Sequence, residues 1–237
     1  MSTSNTPAIR LKDVHSWYGE SHIMHGVSID VMPGEVVTLL GRNGAGRTTT
    51  LRAIMGLVGK RTGSIQINGV ETVRMAPHQI ARLGLGYCPE ERGIFAGLST
   101  EENLLLPPVV ASGGMTLDEI YELFPNLKER RNSPGTRLSG GEQQMLAMAR
   151  VLRTGARLLL FDEISEGLAP VIVQKLAEVI SMLKTQGYTI ILVEQNYHFA
   201  APLADRLYLM EHGRIVEEVL REDMAAKQDT INRYLGV

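Results

Sequence analysis

The distribution of apolar and polar residues along the chain predicts two kinds of β-strand. In the first kind the two types of residue roughly alternate, which is typical of edge-type antiparallel strands. This pattern occurs at residues 8–14, 27–32 and 64–68. In the second kind a continuous apolar run, rich in β-branched residues, precedes a polar loop, as in buried parallel strands. Such runs occur at residues 35–40, 158–161 and 189–193.

Two glycine-rich segments stand directly before stretches with helical spacing. Residues 41–46 lead into a predicted helix at residues 48–55, and Ser139 opens a second predicted helix at residues 140–153. A helix that follows a glycine-rich loop offers unpaired backbone amides at its start. Both segments are therefore candidate anion sites.

The middle region, at about residues 91–137, contains several prolines and glycines and a short helical pattern at residues 117–124. We expect it to form an inserted, mainly helical lobe. The residues after Arg221 predict one short amphipathic helix, and the sequence has no internal repeat or heptad array. The pattern favours one α/β domain over residues 1–237 with a small second lobe, although two compact domains also fit this length.

Composition is that of an ordinary globular protein, with 44% hydrophobic and 21% charged residues, so disorder is expected only at the ends. The net charge of −2 and the scattered basic residues argue against a nucleic-acid partner, and a phosphate ligand would have to be bound locally. The single cysteine, Cys88, suits a reducing compartment. The polar residues 1–7 do not predict a secretory signal, and the apolar runs are too short to span a bilayer. Any membrane role is therefore expected to come through a partner.

The first glycine-rich segment has the spacing of a phosphate-binding loop. Its glycines allow backbone N–H groups to surround phosphate oxygens, and Thr48 is placed to ligate Mg²⁺. The alternative is a glycine-rich turn without a ligand. We expect nucleotide contacts from Gly41, Arg42, Asn43, Gly44, Ala45, Gly46, Arg47, Thr48 and Thr49.

The apolar run at residues 158–161 delivers two adjacent carboxylates, Asp162 and Glu163, to the carboxyl end of a buried strand. Open α/β sheets bind their ligands at this edge. We expect Asp162 to hold Mg²⁺ and Glu163 to orient the attacking water. A strand that ends in Asp-Glu is common, and a simple capping role is the alternative when the pair is taken alone.

The most specific segment is Leu138-Ser139-Gly140-Gly141-Glu142-Gln143-Gln144, which resembles the signature of ABC-transporter ATPases. The resemblance extends over nearly the whole chain, and the alternative is a simple capped helix. It implies a P-loop NTPase fold with a parallel-stranded sheet, an antiparallel β subdomain and a helical subdomain at 91–137. It also implies head-to-tail dimers, in which Ser139, Gly140 and Gly141 of one protomer close over the ATP that the other holds.

The resemblance assigns three more residues. Tyr18 matches the aromatic residue on which adenine stacks, although an isolated tyrosine at a strand end is otherwise more often a packing residue. Glu90 stands where most relatives have glutamine, in the loop that contacts Mg²⁺ and docks the membrane subunit. Gln195 stands where many relatives have a histidine that contacts the γ-phosphate, and an amide donates that bond without titrating.

Arg47 is the largest departure from the family, which has lysine at this position. The two side chains are not interchangeable, because arginine is planar and prefers paired oxygens. Arg47 is either a tolerated variant or a sign of reduced hydrolysis.

Glu90 and Gln195, together with Leu168-Ala169-Pro170 and the double arginine at the end of residues 125–131, resemble the importers of branched-chain amino acids in particular. This resemblance implies a peripheral subunit at the cytoplasmic face of the inner membrane. Its expected partners are two transmembrane permease subunits, a second ATP-binding subunit (a copy or a paralogue) and, indirectly, an extracytoplasmic solute-binding protein. Two alternatives stay open: a nucleotide-binding regulatory subunit with little turnover, and a non-transport ABC ATPase of DNA repair or cluster assembly. The DNA-repair type would normally need a long coiled-coil insertion between the phosphate loop and the signature, and this segment is short and lacks heptads.

Overall fold

A computed structural model describes residues 6–236. Residues 1–5, which carry most of the polar start considered above, lie outside the described residues, as does Val237. Within the described part the strands are β1 (Ile9–Tyr18), β2 (Ser21–Val31), β3 (Val36–Gly41), β4 (Lys60–Ile67), β5 (Val70–Glu71), β6 (Leu85–Cys88), β7 (Leu158–Asp162), β8 (Thr189–Glu194), β9 (Arg206–Glu211) and β10 (Arg214–Leu220). The helices are α1 (Arg47–Ile54), α2 (Pro77–Ala81), α3 (Thr100–Leu105), α4 (Leu117–Leu123), α5 (Pro125–Glu129), α6 (Gly140–Arg153), α7 (Pro170–Thr185), α8 (Tyr197–Ala200) and α9 (Gln228–Leu235).

The larger sheet has six strands in the order β10-β9-β3-β8-β7-β6. Five of them are parallel, and β10 pairs antiparallel with β9. The predicted parallel strands are confirmed as β3, β7 and β8, and all of their residues are buried. The carboxyl ends of β3, β7 and β8 meet at one edge of the sheet.

Alternate residues of these strands lie in two different hydrophobic cores. In β7, Leu158 and Leu160 pack in the core that also contains the antiparallel sheet and α1. Leu159 and Phe161 pack in the other core, together with residues of α6, α7 and α9. Burial on both faces explains why the strand has a continuous apolar sequence rather than an alternating one.

The smaller sheet is antiparallel, with the order β2-β1-β4-β5. The prediction of antiparallel strands is confirmed, but the prediction that they are edge strands is wrong for two of them. β1 lies between β2 and β4, and β4 pairs with β5 on its other side. Alternation reports only that one face of a strand is more exposed than the other, so it does not distinguish an edge strand from an inner one.

Residues 91–137 contain α3, α4, α5 and a 3₁₀ turn at Gly135–Arg137. Ser99 and Thr116 cap α3 and α4, each in a reciprocal capping box with a glutamate three residues later. The helical character of this segment is confirmed, whereas its status as a separate subdomain stays a prediction. Among the described residues, no helix combines the length and the apolar character that are needed to cross a membrane.

Candidate active site at the phosphate loop

The phosphate loop connects the carboxyl end of β3 to the start of α1. Gly41 closes β3 where any Cβ atom would lie 2.3 Å from the backbone oxygen of Met210 on β9, so only glycine fits. Gly44 and Gly46 have φ angles of 81° and 106°, in the left-handed region that glycine adopts without strain. The backbone conformation therefore explains the three glycines of the loop, independently of any ligand.

Gly46 is the N-cap of α1 and has no side chain with which to satisfy the first amides of the helix. Within residues 6–236, the amides of Gly46, Arg47 and Thr48 donate no hydrogen bond. Unpaired amides at a helix start attract an anion, and here they border a cavity of about 460 Å³. This cradle fits a phosphate group.

Thr48 links the phosphate loop to the end of β7. Its Oγ1 donates to Asp162 Oδ1 at 3.0 Å, and the Tyr87 hydroxyl donates to Asp162 Oδ2 at the same distance. Asp162 is fully buried, and burial raises the pKa of its carboxyl group. Thr48 and Asp162, the two residues predicted to ligate Mg²⁺ from the loop and the strand end, therefore lie in direct contact.

Glu163 follows β7 in a strained backbone conformation, with φ at 48°. Its amide donates to the backbone oxygen of Val193 at 2.9 Å, which ties it to β8. Its carboxylate lies near those of Glu90 and Glu166, with one oxygen of each within 4.8 Å of the others. Burial, followed by a hydrogen bond with Glu166, raises the pKa of Glu163 to about 7.

Arg47 points its guanidinium at the carboxyl ends of β7 and β8. Nη2 donates to Glu163 Oε1 at 2.7 Å and to Asn43 Oδ1 at 3.2 Å, while Nη1 donates to the backbone oxygen of Glu194 at 2.5 Å. The Arg47 side chain is only 3% exposed. The residue that departs most from the family is therefore paired with the predicted catalytic carboxylate.

The structure gathers most of the predicted site residues around the 460 Å³ cavity. Those that line it are Tyr18, Asn43, Gly44, Ala45, Gly46, Arg47, Thr48, Thr49, Glu90 and Glu163. Gly41, Arg42 and Asp162 do not line it, although Asp162 reaches it through Thr48. Gln195 is exposed and lines a neighbouring cavity of about 780 Å³, which Glu163 also borders.

The predicted signature does not reach this cavity. Ser139 is the exposed N-cap of α6, where it accepts from the amide of Glu142 at 3.3 Å while Glu142 Oε2 accepts from the Ser139 amide at 2.7 Å. Gly140 is also exposed, and none of Ser139, Gly140 and Gly141 borders the phosphate-loop cavity. The start of α6 is thus separate from the cavity that the start of α1 borders.

Three residues of this region were not among the predicted site residues. Glu166 lines the cavity, Tyr87 bonds Asp162, and the buried Glu194 accepts hydrogen bonds from the amide and hydroxyl of Ser165. The sequence alone could have indicated Glu166 as a site residue, because it is a third acidic residue close to Asp162 and Glu163. Tyr87 and Glu194 give no such signal, since their partners are distant in the sequence.

Comparison with known proteins agrees with the geometry. The family model described as ABC transporter matches residues 24–166. The high-affinity branched-chain amino acid transport ATP-binding protein BraG of Pseudomonas aeruginosa is 41% identical over 226 residues, which cover 94% of this chain and 97% of BraG. The probable branched-chain amino acid transport ATP-binding protein LivF of Archaeoglobus fulgidus is 35% identical over 215 residues, which cover 87% of this chain and 89% of LivF.

Among solved structures, an ATP-binding subunit of an ABC transporter superposes with a TM-score of 0.82 at 26% identity, and the match covers 97% of this chain and all of that one. The chain belongs to the ABC transporter family, as one of its ATP-binding domains. It is therefore a nucleotide-binding protein of the ATP-hydrolysing transporter class.

Proposed function

We propose that this chain is the ATP-hydrolysing subunit of an importer for branched-chain amino acids or related small solutes. The observation that carries the proposal is the convergence of the phosphate loop, Thr48 and Glu163 on one cavity. The full-length likeness to BraG supports the solute class. We further propose that the chain is a peripheral subunit at the cytoplasmic face of the inner membrane and works with an extracytoplasmic solute-binding protein.

The donor atoms at the site fit Mg·ATP. The free amides of the loop hold the phosphates, and Tyr18, which is 40% exposed at the cavity, stacks on the adenine. Thr48, Asp162 and Glu90 offer a hydroxyl and two carboxylates, the oxygen ligands that Mg²⁺ prefers. When bound, Mg²⁺ neutralises charge on the phosphates that take part in the reaction.

Glu163 acts as the base that orients the attacking water. Its raised pKa, about 7, gives the carboxylate more affinity for a proton than an exposed glutamate has. Gln195 lies on the other side of Glu163 and donates from its amide toward the γ-phosphate. The chain's contribution is positioning and charge neutralisation, with no covalent intermediate.

The signature acts in a partner protomer. Ser139 and Gly140 are exposed and do not line the phosphate-loop cavity of their own chain, so their anion site is available to a second ATP-binding subunit. In a head-to-tail pair, made of two copies or of paralogues, the start of α1 in one protomer and the start of α6 in the other hold the same nucleotide. The pair therefore forms two nucleotide sites. One chain alone leaves the start of α6 without an anion.

The docking site for the permease is a cleft of about 340 Å³ beside the Glu90 loop. It lies between the sheet and the helical region, and most of its lining surface is apolar. The lining includes Leu85, Tyr87, Pro89, Pro107 and Val110. We propose that a short helix of one transmembrane subunit docks in this cleft, and that a second ATP-binding subunit receives the other transmembrane subunit in the same way; the position of the cleft links permease movement to Glu90.

Glu163→Gln tests the proposed function. The amide cannot take a proton from water, so we expect hydrolysis to fall on the order of 100-fold while ATP binding is kept and a nucleotide-bound dimer accumulates. Turnover is measured by phosphate release and dimer formation by size-exclusion chromatography. Glu178→Gln, which changes an exposed glutamate of α7, is the matched control and should behave as wild type. Normal turnover in Glu163→Gln would remove Glu163 from the mechanism.

A second candidate function is a regulatory subunit that binds nucleotide with little turnover. The ion pair between Arg47 and Glu163 favours it, because the paired carboxylate is not free to orient water. The ATPase rate of the wild-type protein, measured with its membrane subunits, separates the two. A rate no higher than that of Glu163→Gln would select the regulatory role.

A further inference from the structure

We propose that Arg47 is a positioning residue that locks Glu163 in the nucleotide-free protein, so that ATP must draw the guanidinium off the carboxylate before Glu163 can act. This inference rests on the proposed function. It starts from the 2.7 Å ion pair between Arg47 Nη2 and Glu163 Oε1, in which neither side chain is more than 10% exposed.

The lock depends on the forked shape of the guanidinium. Nη1 is held by the backbone oxygen of Glu194 at the end of β8, while Nη2 is held by Glu163 and Asn43. Lysine carries a single nitrogen and therefore cannot occupy both positions at once. Arg47 therefore connects the phosphate loop to the ends of β7 and β8 through hydrogen bonds from two nitrogens. Lysine, the usual residue of the family at this position, cannot make both connections.

Charge makes the lock costly to open. Glu163 shares its surroundings with Glu90 and Glu166, whose carboxylate oxygens lie within 4.8 Å of one another and of Glu163. Across residues 6–236, Arg47 makes the only ion pair to any of these three carboxylates. When the guanidinium turns toward a phosphate, Glu163 loses the cation that pairs with it. The free energy needed to break this ion pair therefore lowers the affinity for nucleotide.

This competition predicts a specific coupling between residues 47 and 163. Glu163→Gln removes the carboxylate that retains Arg47, so it should tighten ATP binding about 10-fold when residue 47 is arginine. When residue 47 is lysine there is no forked lock to release. Removal of the negative charge alone should then tighten binding by only about 2-fold.

The test is a double-mutant cycle on ATP affinity. Wild type, Arg47→Lys, Glu163→Gln and the double variant are titrated with ATP and Mg²⁺ by calorimetry. All four carry Ser139→Arg, which prevents dimer closure from contributing to the affinity. Arg74→Lys, which changes an exposed arginine, replaces Arg47→Lys in a parallel control cycle and should leave the 10-fold effect intact.

A second readout separates positioning from a merely structural role. In the background with native Ser139, Arg47→Lys should lower KM for ATP several-fold while kcat changes less, because ATP opens the lock and the lock is already open at saturating nucleotide. Thermal melts establish that each variant is folded, and Arg47→Gln replaces Arg47→Lys if the latter does not fold.

Equal effects of Glu163→Gln in the arginine and lysine backgrounds would overturn the lock. So would an unchanged or higher KM for ATP in Arg47→Lys, because release of the lock would then bring no gain in nucleotide binding. Absence of ATP binding in every protein, including wild type, is a different result. It would refute the proposed function itself and the lock with it.

Discussion

Glu194→Gln should change how the stability of this protein depends on pH. Glu194 is 2% exposed, and its carboxylate accepts from the Ser165 amide at 3.0 Å and from the Ser165 hydroxyl at 2.8 Å. Burial is the largest influence and raises the pKa of Glu194 from 4.5 to about 7. The two hydrogen bonds lower it, so burial outweighs them.

The sign follows from the raised pKa. Between pH 4.5 and about pH 7 the folded protein holds a proton that the unfolded chain has released, so stability falls as pH rises through this range. The difference between the two pKa values corresponds to about 3 kcal/mol. Glutamine carries no charge at any of these pH values and does not incur this loss. The stability of Glu194→Gln relative to wild type should therefore rise by up to about 3 kcal/mol between pH 4.5 and pH 8.

Urea unfolding at a series of pH values measures this difference, with the single tryptophan, Trp17, as the fluorescent probe. Taking the difference between variant and wild type cancels the other titrating groups. Glu222→Gln, which changes an exposed glutamate without an ion pair in the described part of the chain, should give a flat difference. A flat difference for Glu194→Gln as well would show that burial does not govern this carboxylate.

Three further outcomes are expected. Ser139→Arg should abolish hydrolysis while the isolated monomer keeps its ATP affinity, and loss of monomer binding would instead place the signature on the same chain's nucleotide. Burial raises the pKa of the Cys88 thiol to about 12, so the folded protein at pH 8 should resist alkylation by iodoacetamide. The urea-unfolded chain should be alkylated rapidly, and equal alkylation rates in the two states would contradict the buried position of Cys88. Tyr18→Ala should weaken ATP binding by about 1 kcal/mol, and Tyr18→Phe, which keeps the ring, by much less. Competition binding measures both affinities, and equal losses in the two variants would show that ring stacking does not contribute.

The elements that the sequence predicts well are those whose signal is local. The predicted helix at residues 140–153 coincides with α6, because Ser139 and Glu142 form a capping box three residues apart. β9 and β10 were not predicted, although His212 and Gly213 between them have the positive φ angles of a tight hairpin turn. One residue of β10, Val216, is skipped in the pairing, which obscures the alternation in that strand.

The site shows the same division between local and distant information. The spacing of the phosphate loop was enough to place Gly44, Gly46 and Thr48 at the cavity. The orientation of Arg47 was not available in this way, because its partners Glu163 and Glu194 lie 116 and 147 positions away in the chain. Only the folded sheet brings the ends of β7 and β8 to the phosphate loop, so the ion pair had to be seen in three dimensions.

Uptake of solute into proteoliposomes tests the central claim most directly. The chain is reconstituted with its two membrane subunits and the solute-binding protein, ATP is supplied on the side that carries this chain, and the entry of labelled leucine, isoleucine and valine is followed. We expect wild type to drive ATP-dependent uptake of at least one of them, and Glu163→Gln to drive none while still holding ATP. ATP hydrolysis without uptake of any of the three, or equal uptake by wild type and Glu163→Gln, would contradict the account.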